Sequence, residues 1–308
     1  MRVLAFDTSN YTTSVALFDG TEGRNVSRLL DVKQGELGLR QSDALFAHVK
    51  RLPELAERLF SEQGSGQIDA IGVSTRPRAV EGSYMPCFLA GESQARVLGE
   101  ALGVPVFSFS HQQGHIAASL WSSGHMELMD KPHLAWHLSG GTTELLYVTP
   151  DGVSVHAEKL GGTTDISAGQ LIDRTGKLLG LPFPAGKALD ALAAAAQDKT
   201  FFRVKVNGTE FSLSGVQNKV QEYHKGDGAE TAGYALRSLI GAILAATRNA
   251  LAQYPDCPVV FAGGVASNSL LRAKAAPLPA IFCPPQYATD NAMGTAVLTW
   301  RAYRAAGL

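Results

Sequence analysis

One sequence pattern occurs twice in this chain of 308 residues. Residues 4–18 (LAFDTSNYTTSVALF) can be aligned with residues 134–148 (LAWHLSGGTTELLYV), and both segments read as strand, small polar turn and strand. Apolar runs separated by Ser, Gly, Asn and Thr are typical of a buried β-hairpin, and the N–H groups of such a turn can bind an anion. The repeat predicts two similar lobes that face a shared cleft; the alternative is a chance match between two ordinary hairpins.

Alternating strand and helix patterns follow each hairpin, which predicts a mixed α/β fold with buried sheets. After the first hairpin, we expect strands near 26–32, 68–74 and 104–107 and helices at 43–62 and 88–102. After the second, we expect strands at 153–159, 259–262 and 280–283 and helices at 167–179, 187–196, within 215–253, from 268 and at 289–304. A polar stretch at 122–131 predicts an N-terminal lobe at 1–125 and a C-terminal lobe with a helical insertion at 126–308.

Composition narrows the class of protein. Hydrophobic residues make up 45% and charged residues 18%, which favours buried cores over disorder. A net charge of −1 provides no global attraction for nucleic acid, although a local basic patch or a partner protein can supply phosphate contacts. Three scattered cysteines argue against a disulfide framework and favour a reducing compartment. With neither a signal-peptide pattern nor a membrane-length apolar run, we expect a cytoplasmic protein without membrane association.

The motif HQQGH places His111 and His115 four residues apart at the start of a predicted helix that Ser110 can cap. Side chains at this spacing share one helix face and can chelate one ion. The glutamate of the metalloprotease signature is absent, so a peptidase is disfavoured. Two solvated surface histidines are the alternative. Because the pair lies at a strand-to-helix junction, where α/β proteins bind ligands, the local sequence supports both interpretations equally.

A second motif, TDNAMG, begins at Thr289 and contains the acid Asp290. Thr289 or Asp290 is expected to cap the final helix, which is a sufficient structural explanation. As a functional alternative, Asp290 supplies a carboxylate oxygen to the ion held by the histidines. Two imidazoles and one carboxylate suit iron or zinc, with positions left open for substrate.

Glycine-rich turns at 139–141, 183–186 and 263–268 adjoin apolar segments. Glycine lets backbone amides approach a phosphate, and a helix N-terminus adds favourable partial charge, so together these turns predict nucleotide binding. Asp173, on a helix that should end at Gly180, can accept hydrogen bonds from ribose hydroxyls; pairing with Lys177 is the alternative. Asp190 is a second such acid.

Six ordered motifs together resemble those of the threonylcarbamoyladenosine synthases, once labelled O-sialoglycoprotein endopeptidases. The resemblance covers nearly the whole chain. The motifs are 111–115 (HQQGH), 139–141 (SGG), 168–181 (AGQLIDRTGKLLGL), 211–215 (FSLSG), 262–272 (AGGVASNSLLR) and 289–291 (TDN).

This resemblance implies the two-lobed actin/Hsp70-like ATPase fold. It also implies transfer of a threonylcarbamoyl group from threonylcarbamoyl-adenylate to the exocyclic amine of a tRNA adenosine, with one divalent metal ion (Fe or Zn) and small partner proteins. The implied metal ligands are His111, His115 and Asp290. The implied nucleotide and substrate positions are His137, Leu138, Ser139, Gly140, Gly141, Asp173, Gly186, Asp190 and Asn268.

The chain departs from the family pattern where acids are expected. Asn10, Tyr11 and Thr12 replace Cys-Asp-Glu, Gln113 replaces Glu, and Thr142 replaces His. One acid is lost at 165–167, and the sequence at 76–86 replaces a Gly-Pro-Gly loop. There, Arg76, Arg78 and Tyr84 either recognise a different acceptor or phosphate or belong to an ordinary solvated loop.

These departures are typical of a divergent paralogue and leave three functions open. The first is the family's threonylcarbamoyl transfer, with reduced or altered activity. The second is a carbamoyltransferase-type enzyme with another acceptor. The third is a non-catalytic nucleotide-binding scaffold of a tRNA-modification complex, which the lost acids favour and the retained metal triad disfavours.

Overall fold

A computed structural model describes residues 1–9, 11–31 and 39–308. By their internal contacts the residues group into two compact units. Unit 1 comprises Met1–Lys131, Thr149–Ala157 and Asp290–Leu308, and unit 2 comprises Pro132–Val148 and Glu158–Thr289. Unit 1 therefore gathers segments from both ends of the chain. Within the part of the chain that the structure describes, no helix is long and apolar enough to cross a membrane.

Helices and strands are numbered in chain order. The strands are β1 (Val3–Asp7), β2 (Thr12–Phe18), β3 (Gly23–Leu29), β4 (Ala70–Arg76), β5 (Val106–Ser110), β6 (His133–Leu138), β7 (Thr143–Asp151), β8 (Ser154–Thr163), β9 (Val206–Asn207), β10 (Glu210–Phe211), β11 (Val259–Ala262) and β12 (Ala280–Phe282). The α-helices are α1 (Gln41–Gln63), α2 (Leu89–Leu102), α3 (His111–Ser123), α4 (Ala168–Leu178), α5 (Gly186–Ala193), α6 (Ser214–Tyr223), α7 (Gly228–Gln253), α8 (Ser269–Ala275) and α9 (Met293–Ala305). Short 3₁₀ helices occupy Pro86–Phe88, Met126–Asp130, Gly264–Ser267 and Pro285–Tyr287.

The two sheets repeat one strand order. In unit 1 the order is β3-β2-β1-β4-β5, and the seven-stranded sheet runs β12-β11-β6-β7-β8-β10-β9. In each, the first strand of the hairpin pairs antiparallel with the second and parallel with a later strand: β1 with β2 and β4, and β6 with β7 and β11. A further parallel strand follows, β5 or β12. The predicted duplication of an α/β lobe is therefore confirmed in the topology.

Burial explains why the apolar segments of β1, β2 and α7 form the centres of the two units. All residues of β1 and β2 are buried, as expected for apolar strands at the centre of a sheet. In the core of unit 2, the 26-residue helix α7 buries Ala, Leu and Ile side chains near the strands β6 and β11. Trp136 lies fully inside and donates its indole N–H to Thr247 Oγ1 at 2.9 Å, so the one polar atom of this ring is paired.

Most predicted elements occur, with shifted ends. The strand expected near 26–32 is β3 at Gly23–Leu29, and Val32 lies outside the described residues. The long helical region between 215 and 253 consists of α6 and α7. The sequence did not predict β9 and β10, which are two residues each and too short to carry a periodic pattern.

Candidate metal and nucleotide sites

His111 and His115 lie on one face of the first two turns of α3. The helix begins directly after β5, and Ser110 caps it: its Oγ accepts the Gln113 N–H at 3.2 Å, and Gln113 Oε1 accepts the Ser110 N–H at 2.9 Å. The two imidazole centroids are 4.3 Å apart, as the spacing of four residues predicts. The predicted cap and the strand-to-helix junction are confirmed.

Asp290 contacts both histidines. Its Oδ1 lies 3.0 Å from His115 Nε2 and 3.4 Å from His111 Nε2. One ligand atom from each of the three half-buried residues lies within 4.8 Å of the other two. Two imidazole nitrogens and one carboxylate oxygen are a donor set that Fe²⁺ and Zn²⁺ accept while keeping positions for substrate. The geometry of the predicted triad thus fits a divalent cation.

The prediction that Thr289 or Asp290 caps the final helix is wrong. The helix α9 begins at Met293, and its N-cap residue is Ala292. The Ala292 N–H donates to Ser14 Oγ at 2.9 Å and to Asn25 Oδ1 at 3.0 Å, so β2 and β3 hold this segment, and Asn291 Oδ1 accepts the Met293 N–H at 3.0 Å. The Asp290 carboxylate is therefore available to the histidines.

Two glycines allow α3 and α9 to approach closely at the histidines. A Cβ on Gly294 would overlap the carbonyl oxygen of Gly114, and a Cβ on Gly114 would lie 3.1 Å from Thr295 Oγ1. Neither glycine has a positive φ, so close approach rather than backbone conformation requires them. This contact brings the start of α3 and the residue preceding α9 to one place in unit 1.

Asp7, at the end of β1, is a residue of this site that the sequence reasoning missed. Its Oδ2 is 2.8 Å from His111 Nδ1, and only 1% of the residue is exposed. Ser74 Oγ donates to the same oxygen at 2.6 Å, and the Ser9 N–H donates to Oδ1 at 3.0 Å. A charged residue at the end of an otherwise apolar strand was the signal that could have identified it.

The charges of this cluster stabilise one another. Burial lowers the pKa of His111, but the carboxylates of Asp7 and Asp290 outweigh burial and raise this pKa to about 10. Burial raises the pKa of Asp290, yet hydrogen bonds from His111 and His115 hold that pKa well below its usual range. Burial raises the pKa of Asp7, but the charge of His111 and the hydrogen bonds from His111, Ser74 and Ser9 together lower it. The site thus has a strong preference for positive charge between its carboxylates.

In unit 2, the turn between β6 and β7 packs against the N-terminus of α4. The Ser139 N–H donates to Thr142 O at 2.8 Å and closes the turn. Ser167, the N-cap of α4, donates its Oγ to Gly140 O at 2.5 Å, and the Gly169 N–H donates to Ser139 O at 3.3 Å. A turn of this kind beside a helix N-terminus is suited to bind an anion.

A second glycine turn lies beside the first. His137 pairs with Ala262 in the parallel ladder of β6 and β11, so both strands end at the same edge of the sheet. The next residue after β11, Gly263, has a φ of +93°, and a Cβ there would overlap Leu138 O. The carboxyl edge of parallel strands is where α/β proteins bind ligands, so the predicted positions 137–141 and 263–268 meet at a suitable edge.

The two predicted acids have protein partners. Asp173 Oδ1 accepts the Ala185 N–H at 2.8 Å, which ties α4 to the turn before Gly186. Asp190 accepts Asn268 Nδ2 at 2.8 Å, together with the N–H and Oγ of Ser269, each at 2.9 Å. These contacts hold the glycine turns in place, so the structure gives both acids an anchoring role in addition to the predicted contact with a ligand.

Five glycines at and beside the turns of unit 2 divide into two groups. Gly169 and Gly263 are required by packing, because an added Cβ would overlap neighbouring backbone. At Gly140, Gly141 and Gly186 an added Cβ meets nothing within 4 Å, and none of these has a positive φ. The fold therefore does not demand glycine at those three positions. Open backbone is what close approach of a ligand requires.

Comparison with known proteins identifies the family. The family model of TsaD, tRNA N6-adenosine threonylcarbamoyltransferase, matches residues 33–297. A protein of that name from Carboxydothermus hydrogenoformans is 31% identical over 319 residues, covering 98% of this chain and 92% of its own. One from Streptococcus pneumoniae is 30% identical over 310 residues, covering 94% and 89%. This chain belongs to the tRNA N6-adenosine threonylcarbamoyltransferase family.

Solved structures share the fold of this family member. HypF from T. kodakarensis aligns with a TM-score of 0.63 at 13% identity, over 98% of this chain and 48% of HypF. The ROK hexokinase of Thermus thermophilus aligns with a TM-score of 0.56 at 16% identity, over 99% and 100%. At such identities the likeness concerns the fold alone, and it confirms the predicted actin/Hsp70-like architecture.

One departure from the family has a structural explanation. Gln113, where the family carries Glu, is 8% exposed, and its Nε2 donates to Val155 O at 3.0 Å while its Oε1 completes the cap of α3. An ionised carboxylate cannot donate to Val155 O, so this position in unit 1 requires the amide of Gln for that hydrogen bond. Gln113 thus belongs to the fold and is not a free acid–base group.

The other departures are less informative. Thr12 begins β2 and is buried, Tyr11 O accepts the Leu30 N–H at 2.6 Å, and Asn10 lies outside the described residues. Thr142 closes its turn through backbone atoms that any residue supplies, so nothing in the structure explains the replacement of His. In the loop 76–86, Tyr84 is 64% exposed, which fits both predicted alternatives.

The retained acid of the 165–167 loop connects two family motifs. Asp165 accepts hydrogen bonds from Ser212 Oγ at 2.5 Å, from the Leu213 N–H at 2.8 Å and from Ser214 Oγ at 2.5 Å. Burial raises the pKa of Asp165, but these donors outweigh it and hold the pKa well below its usual range. The carboxylate thus fixes the motif 211–215 beside the loop before α4.

Proposed function

We propose that this protein transfers a threonylcarbamoyl group from threonylcarbamoyl-adenylate to the N6 amine of an adenosine in tRNA. Family membership over most of the chain, together with the three ligand atoms within 4.8 Å of one another, is the observation that carries the proposal. In the reaction, a bond forms between the amine nitrogen and the carbamoyl carbon. The bond from that carbon to the phosphate oxygen breaks, the amine loses a proton, and AMP leaves.

His111, His115 and Asp290 hold one divalent ion in this proposal, Fe²⁺ or Zn²⁺. Their fit rests on the donor set and on the two carboxylates that favour positive charge at this place. When bound, such an ion polarises a carbonyl or phosphoryl oxygen as a Lewis acid. The residues of α3 and the segment before α9 fix the position of the ligands, and the Gly114–Gly294 contact keeps these elements together.

The turns of unit 2 bind the adenylate in this proposal. The backbone at 137–141 approaches the phosphate, with the α4 N-terminus beside it. The open backbone of Gly186 and the residues Asp173, Asp190 and Asn268 contact the nucleoside. No covalent enzyme intermediate is needed, because the activated acyl group is attacked directly by the amine, and we assign no catalytic acid or base.

Partners and location follow the family in this proposal. The protein acts in the cytoplasm with small partner proteins of a tRNA-modification complex. Because the net charge is −1, we infer that a partner or a local basic surface supplies much of the phosphate contact to tRNA.

A reconstituted reaction tests the activity. Purified protein loaded with Fe²⁺ or Zn²⁺ is incubated with synthetic threonylcarbamoyl-adenylate and tRNA that lacks the modification. Digested tRNA is examined by mass spectrometry, and AMP is quantified in the same sample. We expect threonylcarbamoyladenosine and AMP in equal amounts, both reduced in the His115→Ala variant.

The same assay separates the other two functions. AMP released without modified adenosine, above the rate with heat-inactivated protein, would indicate an acyltransferase with another acceptor. Adenylate binding with no AMP release, in the presence of metal and of cell extract lacking the resident synthase, would contradict the enzymatic proposal and leave a scaffold. Complementation of cells that lack the resident synthase then reports whether partner proteins are required.

A further inference from the structure

The carboxylate of Asp7 and the candidate ligand Asp290 contact different nitrogens of the His111 ring. Nδ1 is 2.8 Å from Asp7 Oδ2, and Nε2 is 3.4 Å from Asp290 Oδ1. We propose that Asp7 is a positioning residue for the metal centre, which holds His111 so that Nε2 presents its lone pair to the cation. This inference rests on the proposed metal site and adds a residue that the ligand triad does not include.

Asp7 is not placed to bind the ion itself. Its two oxygens already accept three hydrogen bonds, from Ser74 Oγ, from the Ser9 N–H and from His111. It is 1% exposed, whereas the three candidate ligands are each half-buried. A buried carboxylate with these donors acts on the ion through the histidine.

The support of Asp7 is rigid. Asp7 ends the central strand β1, and Ser74 lies on β4, which pairs with β1 in parallel. Both residues are buried, and the Oγ of Ser74 is 2.6 Å from Asp7 Oδ2. The chain of contacts Ser74–Asp7–His111 therefore extends from the sheet of unit 1 to the first turn of α3, and it fixes the direction of the ring.

Hydrogen bonding to Asp7 also selects the tautomer of His111. A neutral imidazole carries one N–H and one lone pair. With a carboxylate at Nδ1, the proton stays on Nδ1 and the lone pair is on Nε2, the nitrogen that faces Asp290 and His115. Carboxylates behind metal-bound histidines typically change metal affinity by about 10–100-fold when they are removed.

Asp7→Asn is the informative variant because it keeps the shape of the side chain and reverses the hydrogen bond with His111 Nδ1. The Ser9 N–H can only donate, so the single amide oxygen of Asn at position 7 must face it. The amide NH₂ then faces His111 Nδ1 and forces the proton onto Nε2. This tautomer cannot bind a cation through Nε2, so we expect zinc affinity to fall about 10–100-fold.

The experiment measures Zn²⁺ binding to chelator-treated protein by competition with a chromophoric chelator, and the histidine tautomer by ¹⁵N NMR. The tautomer is read in zinc-loaded samples, where we expect Nδ1 of His111 to carry the proton and Nε2 to bind zinc in the wild type, and Nε2 to carry the proton in Asp7→Asn. Asp19→Asn is the matched control, since Asp19 also accepts backbone N–H groups near a strand end but is exposed and distant in sequence from the ligands. The control should bind zinc as the wild type does.

Two results would overturn the inference in distinguishable ways. Equal zinc affinity of wild type and Asp7→Asn would remove the positioning role and leave the metal site intact. A wild type that binds no Zn²⁺ would remove the metal site itself, and with it the role of Asp7. If Asp7→Asn does not fold, Ser74→Ala replaces it: loss of one hydrogen bond to Oδ2 should weaken zinc binding in the same direction, and unchanged affinity would contradict the proposal.

Discussion

The candidate metal site of unit 1 consists of charged side chains that contact one another, whereas the candidate nucleotide site of unit 2 presents backbone. Asp290 lies within hydrogen-bonding reach of both His111 and His115, and Asp7 contacts His111 from β1. In unit 2, the turn residues Gly140 and Gly141 are exposed, and a Cβ added there would meet nothing within 4 Å. Both sites occur near the end of a hairpin strand in a similar sheet.

This difference determines how each site can fail. The metal site depends on close approach, because Gly114 and Gly294 let two helices meet there. It should lose function when a ligand is removed or when the helices are pushed apart. The turns of unit 2 depend on the absence of side chains at Gly140, Gly141 and Gly186. A side chain added there should prevent nucleotide binding while the fold is unaffected.

The largest expected effect is that of Gly294→Ala. The added Cβ would overlap the carbonyl oxygen of Gly114, so α3 and α9 must separate. Overpacking of this kind typically costs about 1–3 kcal/mol, and here it also moves the histidines away from Asp290. We expect lower thermal stability and loss of zinc binding. Gly140→Ala is the control in the open turn, and it should leave both unchanged; a stable Gly294→Ala variant with full zinc binding would contradict the role of the helix contact.

Gln113→Glu tests the difference between the two capping boxes. Gln113 and Gln170 occupy the same position in the Ser-x-x-Gln caps of α3 and α4. Only Gln113 is buried, and its Nε2 donates to Val155 O, a bond that a carboxylate cannot make. We expect urea unfolding to show a loss of about 1–3 kcal/mol for Gln113→Glu, while Gln170→Glu should be nearly neutral because Glu suits an exposed capping box. Equal changes in the free energy of unfolding for the two variants would show that the hydrogen bond from Gln113 Nε2 to Val155 O does not stabilise the fold.

A smaller effect concerns the pH dependence of metal-free protein. The pKa of His111 rises from 6.5 to about 10 in the folded state. Its stabilising contribution is therefore complete below pH 6.5 and is lost as the pH rises through about 10. Urea unfolding at pH 6, 8 and 10 should give a decreasing free energy of unfolding, and the decrease should be smaller in His111→Gln. A parallel decrease in both proteins would assign the effect to other groups.

The sequence was sufficient for features that depend on local pattern. The hairpin repeat predicted the duplicated sheets, and Ser110 with the spacing of His111 and His115 predicted the helix cap and the shared face. The approach of Asp290 to the histidines was expected as the functional alternative. The other expectation, that Thr289 or Asp290 caps the final helix, was wrong. That assignment failed because Thr289 and Asp290 have residue types typical of an N-cap, while the Ala292 N–H contacts Ser14 and Asn25 and the Met293 N–H contacts Asn291.

The features that sequence reasoning missed depend on distant residues. Asp7 and His111 are 104 residues apart, and Asp165 and Ser214 are 49 apart, so no local pattern connects them. The hydrogen bond from Asn268 Nδ2 to the Asp190 carboxylate, between residues 78 apart, was likewise not predicted. An acid at the end of an apolar strand indicates a partner, but only the fold identifies which residue it is.

The central claim, one metal site in unit 1 and one nucleotide site in unit 2, is tested most directly by measuring both ligands on two variants. Zinc content is determined by elemental analysis, and binding of AMP and of a non-hydrolysable acyl-adenylate analogue is determined by calorimetry. His115→Ala should lose zinc, whereas Gly186→Val should keep zinc and lose the nucleotide, because its side chain occupies space the ligand needs. Full zinc content in His115→Ala, or unchanged nucleotide affinity in Gly186→Val, would contradict the account.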